Sequence, residues 1–165
     1  MIEFQNFKWR KTKEEDLDFV MKLEEDEYPY VLKWKEYKHR EALENLNINH
    51  LILMEKDKKI GYSILTGFNE GNDNIEIKRI VIKEKNRGIG RKSLKALIRY
   101  LFENIEAHRV WLDYHEFNEV GAYLYESMGF KKEGTLRESL KFKNRYYDVV
   151  VLSILQKEYI EDLNF

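Results

Sequence analysis

Apolar residues in this chain follow two rhythms, one of period two and one near 3.6, and the rhythm changes at polar, glycine or proline breaks. Ile2 to Arg10 reads as a first strand, with Ile2 and Phe4 turned inward. Thr12 and Glu15 have capping-box spacing, and Leu17, Val20, Met21 and Glu24 then recur at helical intervals to about Glu25. The only proline, Pro29, breaks the chain between Tyr28 and Tyr30, and a second helix is predicted from about Leu32 to Leu46. His50 to Glu55 and Ile60 to Thr66 are apolar runs joined by a short charged turn, which predicts a hairpin. A polar loop, Gly67 to Asn74, leads into a strand from Ile75 to Ile82. Leu94, Leu97, Ile98, Leu101 and Phe102 then line one face of a helix. Arg109 to Tyr114 is a short strand, and Asn118 opens a helix with Val120, Leu124 and Met128 on one side. Gly129 closes it, Phe130 starts a strand, and Tyr146 to Leu155 is apolar and long enough to be central. The predicted order, β-αα-βββ-α-β-α-ββ, is an α/β architecture with one mixed central sheet flanked by helices, in a single domain over residues 1–165.

Within Ile75 to Ile82 the alternation changes phase. Ile75 and Ile77 share one parity, whereas Ile80 and Ile82 share the other. An extra residue near Lys78-Arg79, a β-bulge, produces such a switch. A strand buried on both faces is the alternative, and Val81 speaks for it.

Charge alters the picture locally rather than globally. Charged residues are 36% of the chain, yet the formal net charge is -1, unlike the strongly basic balance of a dedicated nucleic-acid binder. With no cysteine, the chain has no disulfide, thiolate metal site or cysteine nucleophile of its own. His39, His50, His108 and His115 lack metal-ligand spacing, so no metal is expected. No apolar run approaches a membrane span, and Met1-Ile2-Glu3-Phe4 is no secretory leader, so no membrane partner and a cytoplasmic setting are expected.

The local exception is Lys85-Asn86-Arg87-Gly88-Ile89-Gly90-Arg91-Lys92, where the strand ending at Ile82 gives way to a helix. A helix N-terminus leaves N–H groups unpaired and partly positive, glycine lets a ligand approach the backbone, and cationic side chains add charge. Such a segment is built for phosphate groups. It is not a P-loop, because Arg91 rather than glycine precedes Lys92-Ser93. It is not a dinucleotide fingerprint either, because Ser93 stands where the third glycine belongs.

Lys85, Gly88 and Gly90 fit a third pattern: a basic residue, two residues, glycine, one residue, glycine. About thirty residues on, Asn118-Glu119-Val120-Gly121-Ala122-Tyr123-Leu124-Tyr125 is followed by Gly129-Phe130. Together, in this order, the two segments resemble the signatures of the GNAT acyltransferases, and the predicted elements match that fold over nearly the whole chain. The stretches Phe130 to Glu138 and Tyr146 to Val150 resemble the branch with ribosomal-protein N-terminal and spermidine acetyltransferases. Two positions depart from the family pattern. Lys85 replaces an Arg or Gln and lacks the bidentate geometry of Arg, and Val120 replaces an Arg.

The resemblance implies acetyl-CoA as cosubstrate and direct acetyl transfer to a primary amine on a protein N-terminus, polyamine or small amino compound. A non-catalytic CoA-binding module of the same fold is the alternative. It implies that Arg87, Gly88, Ile89, Gly90, Arg91 and Lys92, with Lys85, hold the pyrophosphate. The backbone of Ile80, Val81 and Ile82 would hold the pantetheine arm, and Asn118 would touch that arm or simply cap its helix. Tyr125 is implied as the acid that meets the departing thiolate, with Tyr123 pointing elsewhere. Glu76 is the candidate base, with Asp113 and Glu116 as rivals. The acidic and aromatic segment Glu24 to Tyr30 would face the amine acceptor, and a free sheet edge leaves room for a homodimer.

Overall fold

A computed structural model describes residues 1–85 and 87–161; Asn86 of the glycine segment and residues 162–165 lie outside it. The elements are β1 (Ile2–Phe4), β2 (Phe7–Lys11), α1 (Leu17–Asp26), α2 (Glu36–Glu44), β3 (Ile48–Glu55), β4 (Lys58–Thr66), β5 (Asn74–Ile82), α3 (Ile89–Glu103), β6 (Arg109–His115), α4 (Glu119–Glu126), β7 (Lys131–Phe142), β8 (Arg145–Leu155) and α5 (Gln156–Glu161). The eight strands form one sheet in the order β1-β2-β3-β4-β5-β6-β8-β7. Every neighbouring pair is antiparallel except β5 and β6. The sheet is therefore mixed, as expected.

Four local expectations change. The first strand is a hairpin, because Gln5 adopts φ 50 and the chain reverses to pair Phe4 with Phe7. Thr12 does not cap; its hydroxyl contacts His50 Nδ1 at 2.9 Å, while the Asp16 carboxylate, not Glu15, accepts from the Lys13 amide at 2.8 Å. The second helix starts four residues late. The Leu32 carbonyl accepts from Arg79 and the Trp34 amide donates to Glu24, so both backbone groups are engaged outside any helix. Val120, expected to face the core, is 82% exposed.

Two cores lie on opposite faces of the sheet. Trp9, Leu53, Ile75, Ile77, Ile82, Leu94, Leu97, Leu101 and Leu112 pack on the α3 face. Val20, Leu23, Ile52, Tyr62, Ile64 and Val81 pack on the α1 face. The β4–β5 register slips between Ile64 and Leu65, which pair with Arg79 and Ile77, so Lys78 is the extra residue of a bulge on β5. This explains the phase change: Ile75, Ile77, Ile80 and Ile82 all reach the α3 core, and Val81 reaches the other. Of the helices in the described residues, none is long and apolar enough to cross a membrane.

Candidate functional site

β5 and β6 run parallel and pair only at Asn74, Ile75 and Glu76, opposite Arg109, Val110 and Trp111. Beyond Glu76 the bulge turns β5 away, and the strands part into a V. The edge of β5 from Ile77 to Ile82 that faces away from β4 thus has no strand partner among the described residues, and its backbone groups, apart from the Ile82 carbonyl, which Lys85 holds, are available to an extended ligand.

At the wide end of the V stands α3. Its N-cap, Gly88, has φ 68, a conformation that favours glycine, and a Cβ there would meet nothing within 4 Å. The first intrahelical bond there runs from the Lys92 amide to the Gly88 carbonyl, leaving the amides of Ile89, Gly90 and Arg91 without i−4 partners. The Ile89 side chain is buried, so this residue contributes through its backbone. Arg91 is turned toward α4, where its guanidinium meets Ser127 Oγ at 2.5 Å. Arg87 is held by Glu55 and Glu84, and Lys85 by the Ile82 carbonyl and Glu27, each at 2.9 Å. Lys92 is exposed. The glycine segment thus offers amides and cations, but Arg87 and Lys85 must exchange an internal carboxylate to serve an external phosphate.

The narrow end of the V carries the titratable groups. Strand alternation turns Val110 and Leu112 into the α3 core, which puts Trp111, Asp113 and His115 on the opposite face with Glu76. Glu76 accepts from Thr66 Oγ1 at 2.8 Å and lies 3.3 Å from Lys78 Nζ. Asp113 has no such anchor among the described residues. Crowding by protein and the negative charge of Glu76 push its pKa up, against Lys78 and His115. His115 is pushed down by burial, against the charge of Asp113, and its Nδ1 is buried with no hydrogen-bond partner among the described residues.

Tyr125, on α4, packs its ring 6.1 Å from Tyr114 and 6.2 Å from Phe130. Burial, and next the charge of Asp113, push its phenol up to about 12. Tyr123, two residues away, is 74% exposed and points to solvent. Asn118 caps α4, its Oδ1 accepting from the Gly121 amide at 3.0 Å. Glu116, the other rival base, accepts from the Asp148 amide at 3.0 Å.

Sequence reasoning missed two contributors. Arg79, beside the bulge, pairs with buried Glu24, bonds the Leu32 carbonyl at 2.5 Å and lies 4.6 Å from the Trp34 ring. It therefore pins the α1–α2 connection to β5, a link no local pattern announces. The second is an aromatic cluster, centred on Phe117, at the open end of β6.

Comparison with known proteins gives this arrangement its context. Residues 7–151 match the family model described as an acetyltransferase (GNAT) domain. A spermidine N(1)-acetyltransferase of Vibrio cholerae serotype O1 is 33% identical over 70 residues, 42% of this chain and 40% of that protein. An N-acetyltransferase of Bacillus licheniformis named p20 is 34% identical over 68 residues, 41% of this chain and 38% of that protein. These matches span about two fifths of the curated relatives' length. Among solved structures, the V. cholerae spermidine N-acetyltransferase bound to CoA and spermine superposes with a TM-score of 0.83 at 23% identity, covering 94% of this chain and 98% of that one. A dodecameric form of that enzyme gives 0.80 at 23% identity, covering 94% and 96%. A match to the family model over most of the chain, on a sheet parted at a bulged fifth strand, shows that this protein belongs to the GNAT acetyltransferase family.

Proposed function

We propose that this protein is an acetyl-CoA-dependent N-acetyltransferase that moves an acetyl group directly to a primary amine. The observation that carries the reading is the V between β5 and β6, with a helix N-terminus at one end and Asp113, Glu76 and Tyr125 near the other. The chain fits the cosubstrate: the α3 N-terminus suits a pyrophosphate, and the unpaired edge at Ile80, Val81 and Ile82 suits an extended amide-bearing arm. Lys92 adds charge, with Arg87, Arg91 and Lys85 once released from their internal partners. Asn118 supports the same region by holding the start of α4. Acetyl-CoA would supply an acyl group on a sulfur that leaves as the amine nitrogen takes the acyl carbon.

The chain's own part is proton handling and charge placement. A carboxylate must take a proton from the ammonium before its nitrogen can attack. Glu76 lies on the right strand, but it is already hydrogen-bonded, whereas Asp113 is less engaged and burial, then the Glu76 charge, makes it more basic than an ordinary aspartate. We therefore assign the proton to the pair, with Asp113 as its principal acceptor, made more basic by burial and next by the charge of Glu76. Tyr125 stays protonated and donates a hydrogen bond to the sulfur as negative charge develops there.

The amine acceptor would enter beside the Glu24 to Tyr30 segment, and residues 1–165 would form one domain. Exposed Leu136 and Tyr146 on the outer hairpin offer a surface for a homo-oligomer. Thermal unfolding with and without acetyl-CoA tests the core of the reading. At a hundred times its Kd, the ligand adds about 2.7 kcal/mol of stability. An unchanged midpoint at millimolar acetyl-CoA rejects it.

A further inference from the structure

The acceptor's charge pattern is written in a group of rings that belongs to neither core. His115 lies 5.4 Å from Phe117; Phe117 lies 5.2 Å from Tyr147 and 6.4 Å from Phe142; Phe142 lies 5.4 Å from Tyr28. Tyr30 closes on Phe117 at 6.0 Å. Three separate segments contribute: the α1–α2 connection, the β6–α4 connection and the β7–β8 hairpin. Tyr28 and Tyr30 remain 45% and 53% exposed, so this wall faces solvent rather than filling a core.

The charges around the wall are unevenly placed. At its inner end, one residue pair from His115, stands Asp113, whose carboxylate has no hydrogen-bond partner among the described residues and is turned to the same face of β6. At its outer end two lysines cover the rings: Lys33 Nζ lies 5.4 Å from the centre of Tyr28, and Lys143 Nζ lies 5.3 Å from that of Phe142. Four nearby acids are engaged elsewhere. Glu25 pairs with Lys33 and Glu27 with Lys85, while Glu116 and Asp148 accept backbone amides. Asp113 offers an open anionic partner at the inner end, the middle is apolar, and the outer ring faces are covered by Lys143 and by Lys33 in its pair with Glu25. A cationic acceptor group is favoured at Asp113, whereas a second one further out meets the Lys143 charge and finds Glu25 already taken by Lys33.

Resting on the acetyltransferase reading, we propose that the acceptor is a monoamine with an apolar or aromatic body, and that polyamines are disfavoured. The amine sits at Asp113 and its body lies along Phe117, Tyr147 and Phe142. The spermine complex of the V. cholerae structure is thus a guide to the fold and not to this acceptor.

The test compares 2-phenylethylamine, hexylamine and spermidine as acetyl acceptors, read by CoA release, together with calorimetric binding of the same amines to the CoA-loaded protein. The expected result is kcat/KM at least about tenfold higher for 2-phenylethylamine than for spermidine, with binding in the same order. Phe117→Ala should reduce that preference mainly through KM, and Lys33→Gln with Lys143→Gln should narrow the gap by improving spermidine. Spermidine used or bound as well as 2-phenylethylamine overturns the proposal, as does binding of neither amine. If acetyl-CoA stabilises the protein but no amine is acetylated, the transferase reading fails on its own, and the order of amine binding still decides this inference.

Discussion

Tyr125 holds its proton more tightly than a free phenol, at about 12, because burial and the nearby Asp113 charge disfavour the phenolate. Full transfer to a thiolate of ordinary pKa about 8.5 would be uphill by about 5 kcal/mol. In the proposed reaction its contribution would therefore be a donated hydrogen bond that strengthens as charge reaches the sulfur. Tyr125→Phe should lower kcat about a hundredfold with cosubstrate affinity nearly unchanged, checked by CoA release and by equilibrium titration. Equal turnover would remove Tyr125 from the chemistry. The two carboxylates separate by pH profile. Asp113 must ionise to accept a proton, so activity should rise with pH through a value above that of an ordinary aspartate. Asp113→Asn should abolish that limb. Glu76→Gln should only move it to lower pH, since the neighbouring negative charge that raised Asp113 is gone. A collapse of turnover in Glu76→Gln with the limb intact in Asp113→Asn would reverse the assignment.

β5 shows how one element converts a sequence irregularity into a site. The extra residue at Lys78 rotates Ile80 and Ile82 back onto the α3 core and parts the strand from β6, so a single bulge serves packing and opens the V. The phase change in the isoleucines made this bulge legible in the sequence, while the glycine segment and the Asn118 and Tyr125 motif pointed to the family. The late start of α2, the true capping carboxylate Asp16 and the aromatic wall were not legible. Each depends on partners distant in sequence: Trp34 on Glu24, Thr12 on His50, and Tyr28 on Phe142. Asp113 sat between these cases, since its face follows from Val110 and Leu112, but its raised pKa depends on burial in the fold and next on Glu76 across the sheet. The strand's far end is fixed by Gly61 on β4, where a Cβ would fall 2.5 Å from the Val81 carbonyl oxygen. Gly61→Ala should cost about 1–3 kcal/mol by pushing β5 outward, and should weaken acetyl-CoA binding at the Val81–Ile82 edge. Gly134→Ala, in β7, is the control, because a Cβ there meets nothing within 4 Å. Equal melting temperatures for the two variants would refute the close-approach argument.

Across the whole molecule, a buried polar chain joins the helical layer to the sheet. Thr12 contacts His50, His50 Nε2 contacts His39 Nδ1 at 3.1 Å, and Glu24 accepts from Tyr62 at 2.7 Å and pairs with Arg79. This chain spans α1, α2, β3, β4 and β5, so its protonation state bears on how the α1–α2 connection is held over the site. Burial, and next His39, push His50 down to about 3, against an ordinary value of 6.5. Its folded state therefore binds fewer protons than the unfolded state between those values. Stability is full above about pH 6.5 and falls with decreasing pH, by about 1.4 kcal/mol at pH 5.5 relative to pH 8. The carboxylates act later. Burial raises Glu24 and Asp16, but His39 at 3.4 Å and the Arg79 charge lower the first below its usual value, and hydrogen bonds from Arg10 and Lys59 lower the second. Their stabilisation is present above the unfolded carboxylate pKa and is lost as pH falls through the depressed folded values. Acid unfolding should thus come in two stages, a histidine stage from pH 6.5 and a carboxylate stage below about 4.5. Urea unfolding of the wild type and His50→Gln at pH 8, 6.5 and 5.5 separates them. The variant should start less stable and decline less steeply over this range than the wild type, its remaining loss coming from His115, which burial also pushes down. Parallel slopes for the two proteins would assign the acid sensitivity to groups outside the buried chain.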